Sequence, residues 1–484
     1  MQTKTFSLQD KEILKEVLLF AKARRAKLYL VGGSLRDLFI GRRKVNPDFD
    51  FTLKRNAIAF GRKLAKEMAC GFVVLDEEHG ACRLVLKLKN KICTLDFTDF
   101  RAPGLEKDLL HRDFTINSMA LELEKAVNQE DLSGSLIDLY GAREDLKAKL
   151  IRVAHKRSFV EDPLRILRAF SFASMLGFEV DKETLRLAEK EKARLAKVSF
   201  ERVRDELFKI FDSDNAFECF KKLDELKIIK IIFPEIEKMR GIGQGPYHHL
   251  DVWQHTLETI KQLEFLYLEV KDKPDIKSFL DEPVSSERSR RSLLKFGAFL
   301  HDIGKPAALR YEGEKTIFHG HERLGLDLTK DICRRLRLSN DEISALHKIV
   351  LWHLRPGYMA DNKELTPRAK FRYFRDTASE ALSVLLLSVA DQRATKGPLT
   401  TKASRANHEK VVFGLIKEYF KKAKEEKLPR LVTGDDLIKA FKLQPSPLIG
   451  KILSEIEEAH AIGKIKNKQD ALKLAKRCIN SKKK

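Results

Sequence analysis

The spacing of apolar and polar residues changes along the chain and divides it into two kinds of structure. Short apolar runs, typical of strands, occur at KLYLVGG, DFDFTL, GFVVLD, ACRLVLKL and KICTLDFTDF, with helical spacing between them as in AIAFGRKLAKEMA. From about Gly141 onward helical spacing dominates, as in PLRILRAFSFASMLGF and ERVRDELFKIF. The pattern predicts an α+β fold, in which a small mixed-sheet head precedes an all-α body.

Clusters of glycine and proline suggest where the helical part is divided. GIGQGPYHHL, from Gly241 to Leu250, predicts a boundary between helical domains, and TKGPLTTKASR predicts another break. The charged stretch KDKPDIKSFLDEPVSSERSRR is interpreted as an exposed loop or short excursion. We therefore predict four segments: a head at residues 1–140, a helical neck and body at 141–240, a second helical domain at 241–400 and a C-terminal helical tail domain at 401–484.

Charge narrows the class of partner. The formal net charge of +22 over 484 residues favours a polyanion, and nucleic acid is the commonest one. The alternative is that Lys and Arg only solvate a helical surface. The six scattered cysteines lack the paired spacing of zinc sites and indicate a reduced, cytoplasmic location. No apolar run reaches the length of a membrane span, so no membrane partner is expected.

One early stretch combines a glycine turn with paired carboxylates. Gly32-Gly33 ends the apolar LYLV, and the helix that follows would offer unpaired N–H groups to phosphates, with Ser34 as its cap and Arg36 on its first turn. Asp48 and Asp50 are two residues apart on a strand and therefore share a face. Together these features suit a triphosphate bound with Mg²⁺.

A third carboxylate would complete a catalytic site. If KICTLDFTDF is a strand with Cys93, Leu95 and Phe97 in the core, Asp96 faces the other way, beside the Asp pair. We predict Asp48, Asp50 and Asp96 as catalytic residues of a two-metal nucleotidyl transfer, with Mg²⁺ bound by Asp48 and Asp50. The alternative is that the Asp pair only decorates a turn after Pro47.

Four motifs in this order resemble one enzyme family. VGGSLRD, DFD, HRDFTINSMA and EDPLRILRAFSFASMLGF are similar to motifs of class II tRNA nucleotidyltransferases and the related bacterial poly(A) polymerases, across roughly residues 25 to 235. LIDLYGAREDLKAKLIRV and SFERVRDELFKIF resemble that family's hinge and later motifs. The resemblance implies a polymerase-β-like head that is catalytic, a neck and tail that bind RNA, and tRNA, CTP and in some members ATP as partners. It leaves the oligomeric state open.

The resemblance also implies which side chains contact the nucleotide. Asp162 and Arg165 would read the Watson–Crick edge of the incoming base, with Arg168 one turn further along the helix. The alternative for Asp162 and Arg165 is a surface salt bridge between residues three apart. The full nucleotide-binding set is Gly32, Gly33, Arg36, Arg112, Asp113, Asn117, Asp162, Arg165 and Arg168. The chain departs from the family at His111, where an arginine is usual.

A second departure from the family pattern bears on which nucleotides the chain would add. CCA-adding and A-adding relatives carry a long flexible loop after the third carboxylate, whereas TDFRAPGLEKDLLHRDF leaves little room for one between Asp96 and Asp113. Addition of CC from CTP is therefore our first hypothesis. Full CCA addition from CTP and ATP, A addition and polyadenylation remain open.

A second resemblance lies further along the chain. HLDVWQHTLETI and FGAFLHDIGKP look like an HD-domain phosphohydrolase, which implies a centre for Mn, Fe, Ni or Mg. Its ligands would be His255, His301, Asp302 and Asp391. His321 also matches a position used in that family, and the further histidines considered as neighbours are His319, His347 and His353. A competing hypothesis makes this phosphohydrolase the main activity, with the head as a nucleotide sensor. A non-catalytic RNA chaperone is disfavoured, because binding alone needs no carboxylate triplet.

Overall fold

The computed structural model describes residues 4–89, 91–285, 288–313, 315–362, 364–424 and 429–480. The chain forms two compact units, one of Met1–Ile210 with Lys222–Ile232 and one of Phe211–Lys221 with Phe233–Lys484. The first contains a mixed sheet and helices, and the second is almost entirely helical. The α+β prediction is confirmed, while the four-segment division stays a prediction.

A seven-stranded sheet lies at the centre of the first unit, in the order β3-β4-β5-β2-β1-β6-β7. Strands β2 and β5 are parallel, and the other neighbouring pairs are antiparallel. The strands predicted from the sequence are β1 to β5. The seven are β1 Tyr29–Val31, β2 Asp48–Leu53, β3 Gly71–Asp76, β4 Ala81–Leu88, β5 Lys91–Asp99, β6 Met119–Glu122 and β7 Ile137–Asp138.

Alternation along β2 and β5 decides which face of the sheet is apolar. Cys93, Leu95 and Phe97 are fully buried, as predicted. Phe51 of β2 stacks on Phe97 with ring centroids 4.8 Å apart. Because successive side chains alternate, the opposite face carries Asp48 and Asp50 of β2 and Asp96 of β5.

Some of the first twelve helices of the chain pack on the sheet. Buried apolar residues of the first and third helices, among them Val17 and Leu64, join the core of the sheet. The helices are α1 Leu8–Ala23, α2 Gly33–Ile40, α3 Ala57–Glu67, α4 Leu105–Leu110, α5 Leu123–Asn128, α6 Ala142–Ala148, α7 Ser158–Glu161, α8 Arg165–Leu176, α9 Lys182–Glu191, α10 Phe200–Asp212, α11 Ala216–Glu225 and α12 Ile229–Ile232; β8 Leu150–Ile151 pairs with β9 Glu179–Val180.

The second unit is a stack of helices with two small hairpins. Its hairpins are β10 Pro283–Ser285 with β11 Arg288–Ser289, and β12 Arg310–Glu312 with β13 Lys315–Ile317. Its helices are α13 Val252–Glu269, α14 Pro274–Asp281, α15 Arg290–Leu300, α16 Lys305–Ala308, α17 His321–Arg335, α18 Asn340–Trp352, α19 Arg355–Asp361, α20 Pro367–Thr377, α21 Ala381–Ala394, α22 Lys402–Lys424, α23 Gly434–Phe441, α24 Pro447–Ala461 and α25 Lys468–Asn480.

The loop predicted around residues 271–291 was wrong. The structure places α14 there, because Ile276, Phe279 and Leu280 recur at helical spacing and are buried. At the end of the unit, α23 to α25 enclose a small apolar core of their own, which includes Leu437 and Ile452. None of the helices in the described part of the chain has both the length and the apolar character needed to cross a membrane.

Candidate functional site

The glycine turn between β1 and α2 lies close to the carboxylate of Asp50. Gly32 has φ +73° and precedes the first residue of α2. A Cβ at this position would lie 3.0 Å from Asp50 Oδ2 and 3.3 Å from Arg112 Nη1. The prediction that Ser34 caps this helix was wrong. Ser34 lies inside the first turn, where its hydroxyl donates to the Val31 carbonyl at 3.5 Å. The turn therefore depends on glycine for both conformation and space.

The sheet register brings the three predicted carboxylates together. Asp50 of β2 lies opposite Asp96 of β5, and Asp48 is two residues earlier on the same face of β2. Burial raises the pKa of Asp50 to about 6, with further contributions from the charges of Asp48 and Asp96. Three carboxylates thus lie on one face of the two strands, and carboxylate oxygens are the ligands that Mg²⁺ prefers. The residues present fit a divalent cation.

Each of the other two carboxylates has a polar partner. Thr94 donates its hydroxyl to Asp48 Oδ1, and Lys44 Nζ lies 4.0 Å from Asp48 Oδ2. Asp96 accepts two hydrogen bonds from Arg83 of β4, from Nε at 2.8 Å and from Nη2 at 2.7 Å. These contacts hold the acidic side chains in defined orientations.

A cavity of about 700 Å³ in the first unit extends from the carboxylates to the start of α8. Every residue predicted for nucleotidyl transfer lines it. They are Gly32, Gly33, Arg36, Asp48, Asp50, Asp96, Arg112, Asp113, Asn117, Asp162, Arg165 and Arg168.

Part of this lining is a buried polar network. Arg36 donates to Asp37 Oδ1 at 2.8 Å and to Asn117 Oδ1 at 2.9 Å. Asn117 Nδ2 donates to Asp113 Oδ1 at 2.9 Å, and Arg168 Nη2 donates to Asp113 Oδ2 at 2.7 Å. Burial alone would raise the pKa of Asp113, but the Arg168 charge and the hydrogen bonds lower it to about 2. These side chains hold one another in place, and Arg36 is committed to protein partners.

The two residues predicted to read the base have separate partners. Asp162 Oδ2 accepts from Arg202 Nη2 at 2.8 Å, whereas Arg165 lies 3.7 Å from Glu161. The Arg165 side chain is also buried, with 8% exposed. The alternative of a surface salt bridge between Asp162 and Arg165 is therefore wrong.

His111 stands where relatives usually have an arginine, and its main-chain carbonyl contacts Arg165. Arg165 Nη2 donates to the His111 carbonyl at 2.8 Å, and its Nη1 donates to Ser158 Oγ at 2.9 Å. The contact to Arg165 uses a main-chain oxygen, so it does not require an arginine at position 111.

A second cluster of polar side chains is buried in the second unit. His255 Nε2 lies 2.8 Å from Asp391 Oδ1, and His301 Nε2 lies 3.1 Å from Asp302 Oδ2. On the other oxygen of Asp302, His321 Nε2 is at 3.2 Å and His353 Nε2 is at 3.8 Å. The four predicted ligands thus come together, and two further histidines join them.

Hydrogen bonds fix the tautomers of three of these histidines. The Nδ1 atoms of His301, His321 and His353 lie 2.7, 2.9 and 2.6 Å from backbone carbonyls three residues earlier. Each Nδ1 must carry a proton in order to donate to its carbonyl, so Nε2, which is directed at Asp302, is the ring atom left to bind a metal. Histidines that bind metals are commonly oriented in this way.

Electrostatics in the cluster favour a cation. Burial alone would raise the pKa of Asp302, but His301 and Lys305 hold it well below its usual range. Burial lowers the pKa of His353 to about 3. His301 Nε2 and Asp302 Oδ2 are buried without a well-formed hydrogen bond among the described residues, although Lys305 Nζ is 2.7 Å from Asp302 Oδ2. The donor set fits a divalent metal.

Family models match three parts of the chain. Residues 28–152 match the poly A polymerase head domain, and residues 177–239 match a probable RNA- and SrmB-binding site of polymerase A. Residues 324–475 match a putative domain 2 of tRNA nucleotidyltransferases. The A-adding tRNA nucleotidyltransferase of Deinococcus radiodurans is 30% identical over 91% of this chain and 93% of its own length. This chain belongs to the tRNA nucleotidyltransferase family.

Other relatives of this tRNA nucleotidyltransferase agree in class and differ in product. The CC-adding tRNA nucleotidyltransferase of Thermus thermophilus is 27% identical over 91% of each chain. A CCA-adding enzyme solved with ATP shares the fold, with a TM-score of 0.65 and 22% identity over 98% of this chain and 96% of that one. The Thermotoga maritima CCA-adding enzyme with tRNA has a TM-score of 0.62 and 22% identity over 99% and 100%.

Sequence reasoning missed several basic side chains of this tRNA nucleotidyltransferase. Arg42 and Lys44, from the run GRRK between α2 and β2, line the cavity, and that run was the available signal. Three others lie in stretches quoted above but were not singled out there: Arg101, Arg202 and Lys209. Of the histidines considered as neighbours of the second cluster, His319 and His347 belong to none of the three groups of possible metal ligands among the described residues.

Proposed function

We propose that this tRNA nucleotidyltransferase adds CC from CTP to the 3′ end of tRNA by a two-metal mechanism, without a template. The observation that carries the proposal is that one cavity contains the carboxylates, the glycine turn and the Asp162–Arg165 pair. The reacting phosphate and the selected base of one nucleotide would therefore both lie in this cavity. The names of the relatives and of the solved complexes support tRNA, CTP and ATP as partners.

Each group has a chemical role in this proposal. Asp48 and Asp50 would hold Mg²⁺, which supplies charge neutralisation for the triphosphate and a more acidic 3′-hydroxyl. The Gly32–Gly33 turn lets the triphosphate approach the N-terminus of α2, whose N–H groups favour anions. Asp162 would accept from the exocyclic amino group of cytosine, while Arg165 donates to its ring nitrogen or carbonyl.

CC addition is preferred to the other products because of the connection that follows Asp96. A short helix, α4, occupies this connection, which leads directly into the Arg112–Asn117 motif. The connection therefore has little length for the flexible loop expected of CCA-adding and A-adding relatives. Full CCA addition is the next hypothesis, followed by A addition and polyadenylation, since the relatives include A-adding, CC-adding and multifunctional CCA proteins.

Product length distinguishes these hypotheses. Transcripts of tRNA that end at the discriminator base, or after CC, are incubated with labelled CTP and ATP, separately and together. CC addition predicts two cytidines on the first transcript and no extension of the second. A terminal adenosine on both selects CCA addition, extension of the CC transcript alone selects A addition, and long adenosine tracts select polyadenylation.

A second candidate activity is hydrolysis of phosphoesters at the histidine cluster. It is favoured by three histidines whose Nδ1 atoms are engaged with backbone carbonyls, so that their Nε2 atoms are directed at Asp302. His255, His301, Asp302 and Asp391 would hold a divalent metal such as Mn, Fe, Ni or Mg, with His321 and His353 on the other oxygen of Asp302. A bound metal would supply an activated water for attack on phosphorus.

Metal content and hydrolysis test this second activity together. Purified protein is analysed for bound metal and assayed with bis(p-nitrophenyl) phosphate and with RNA that ends in a 3′ phosphate. His301→Ala should lose both metal and hydrolysis while retaining CTP incorporation, and His347→Ala is the control outside the cluster. Hydrolysis that survives His301→Ala would exclude the cluster as its source.

A further inference from the structure

Arg83 makes the most directed contact to the third carboxylate. It lies opposite Asp96 in the antiparallel pairing of β4 and β5, while Asp50 lies opposite Asp96 on the other side. Its Nε and Nη2 atoms donate to different oxygens of Asp96, at 2.8 and 2.7 Å. This parallel pair of hydrogen bonds fixes the plane of the carboxylate as well as its position.

Charge explains why Asp96 needs such a partner. Asp48, Asp50 and Asp96 carry like charges on one face, and the free rotation of an unsupported Asp96 would let it turn away from the other two. Arg83 balances the charge from the side of β4 and is not among the described residues that line the cavity. The guanidinium therefore keeps Asp96 facing Asp50 without occupying the space between β2 and α2.

The contact is difficult to explain as a stabilising one. The Arg83 side chain is 40% exposed and the Asp96 side chain 13%, and an ion pair that is partly open to water contributes modestly to folding stability. Lysine would give the same charge at this position, but it cannot hold two carboxylate oxygens in one plane. The feature that requires arginine is control of orientation.

We propose that Arg83 is a positioning residue for nucleotidyl transfer, which acts by holding Asp96 in its reactive orientation. The inference rests on the proposed function, because Asp96 is useful in this orientation only if the site transfers nucleotides. It assigns Arg83 to the step that involves the attacking 3′-hydroxyl and not to the binding of CTP.

Three variants test the assignment in the full-length protein. Arg83→Ala removes the fork, Arg83→Lys keeps the charge alone, and Lys87→Ala is the control. Lys87 is four residues along the same face of β4, exposed and away from the carboxylates. Steady-state incorporation of CTP into tRNA gives kcat and KM, and the thermal shift produced by CTP with Mg²⁺ reports nucleotide binding independently of turnover.

The expected result is a loss in kcat alone. Arg83→Ala should lower kcat roughly 10- to 100-fold, since small misplacements of reacting groups cost about that much, with KM for CTP within about twofold. Arg83→Lys should restore less than about a third of the decrease in log kcat that Arg83→Ala causes. Millimolar guanidinium should raise the rate of Arg83→Ala by about threefold or more, because the planar cation can refill the exposed site, and should not affect Lys87→Ala.

Several outcomes would overturn the inference. Wild-type kcat in Arg83→Ala or Arg83→Lys would show that the fork is not needed. A lost CTP thermal shift or a raised KM for tRNA would assign Arg83 to binding instead. These results differ from failure of the proposed function, in which the wild-type protein itself would incorporate no nucleotide.

Discussion

Among single residues, Asp50 combines a central position in the site with a pKa shifted by its surroundings. It lies on β2, opposite Asp96 and against the glycine turn, and its pKa is raised to about 6 by burial first and by neighbouring carboxylates second. A proton and a divalent cation therefore compete for the same oxygens. This competition makes the ionisation of Asp50 measurable through the reaction.

The competition predicts a pH dependence that responds to Mg²⁺. Because the pKa of Asp50 is raised, the carboxylate is protonated below about pH 6 and ionised above it, so incorporation of CTP should fall as pH decreases through 6. Higher Mg²⁺ should move the midpoint of this fall to lower pH. The measurement is a pH–rate profile at two Mg²⁺ concentrations, and a midpoint independent of Mg²⁺ would contradict the assignment.

A glycine substitution separates backbone strain from contact with the carboxylate. Gly32→Ala should nearly abolish CTP binding, because its Cβ would lie 3.0 Å from Asp50 Oδ2 in addition to the strain at φ +73°. Gly41→Ala is a matched control, since Gly41 has φ +75° and nothing within 4 Å of an added Cβ. Both should lose about 1–2 kcal/mol of stability from backbone strain.

Calorimetric titration with CTP and Mg²⁺ tests the pair. If Gly32→Ala and Gly41→Ala bind CTP equally well, the turn at Gly32 does not form part of the nucleotide site.

At the scale of elements, β2 and β5 could be predicted because their period is simple. Asp48 and Asp50, and separately Asp96, fall on the face opposite Phe51 and Phe97, so alternation alone indicated where the acids point. Alternation also suggested that Asp96 lies beside the Asp pair, but the parallel register that sets Asp50 opposite Asp96 was not predicted, because alternation specifies a face and not a register. The sequence also missed α14, where flanking charges and prolines obscured the helical spacing of three apolar residues.

The stacked rings beneath the acids predict a local dependence of the site on the core. Phe97→Ala should reduce the stability of the first unit by about 3–5 kcal/mol, since the fully buried ring supports both β2 and β5. Ile92→Ala on the same strand is the control, because Ile92 is 47% exposed and should change stability by less than about 0.5 kcal/mol.

Urea unfolding followed by circular dichroism measures both variants. Equal midpoints for Phe97→Ala and Ile92→Ala would contradict the described packing.

At the scale of the whole molecule, the net charge of +22 concerns the partner and not the fold. Net charge could be calculated from composition, but the positions of Arg202 and Lys209 in the cavity lining could not, because folding brings them to the carboxylates from more than 100 residues away. The same limit applied to His353, whose position beside Asp302 depends on how α15, α17 and α18 pack. Sequence identified the chemical groups, and the tertiary structure determined which of them meet.

The charge predicts how tRNA binding responds to salt. If Lys and Arg contact several phosphates, the logarithm of the association constant should fall linearly with the logarithm of salt concentration, with a slope steeper than about −3. Binding is measured by fluorescence anisotropy between 50 and 300 mM KCl, with a neutral polymer of similar size as the control ligand. A slope near zero would show that the basic surface does not contact the RNA backbone.

Single-turnover incorporation of CTP shows whether Asp48, Asp50 and Asp96 perform nucleotidyl transfer on tRNA. Labelled CTP and tRNA that ends at the discriminator base are mixed with wild-type protein and with Asp48→Asn, Asp50→Asn and Asp96→Asn. If the three carboxylates perform the transfer, the wild type incorporates CTP rapidly and each variant loses about 100-fold or more in rate. Incorporation by Asp50→Asn at the wild-type rate would contradict it.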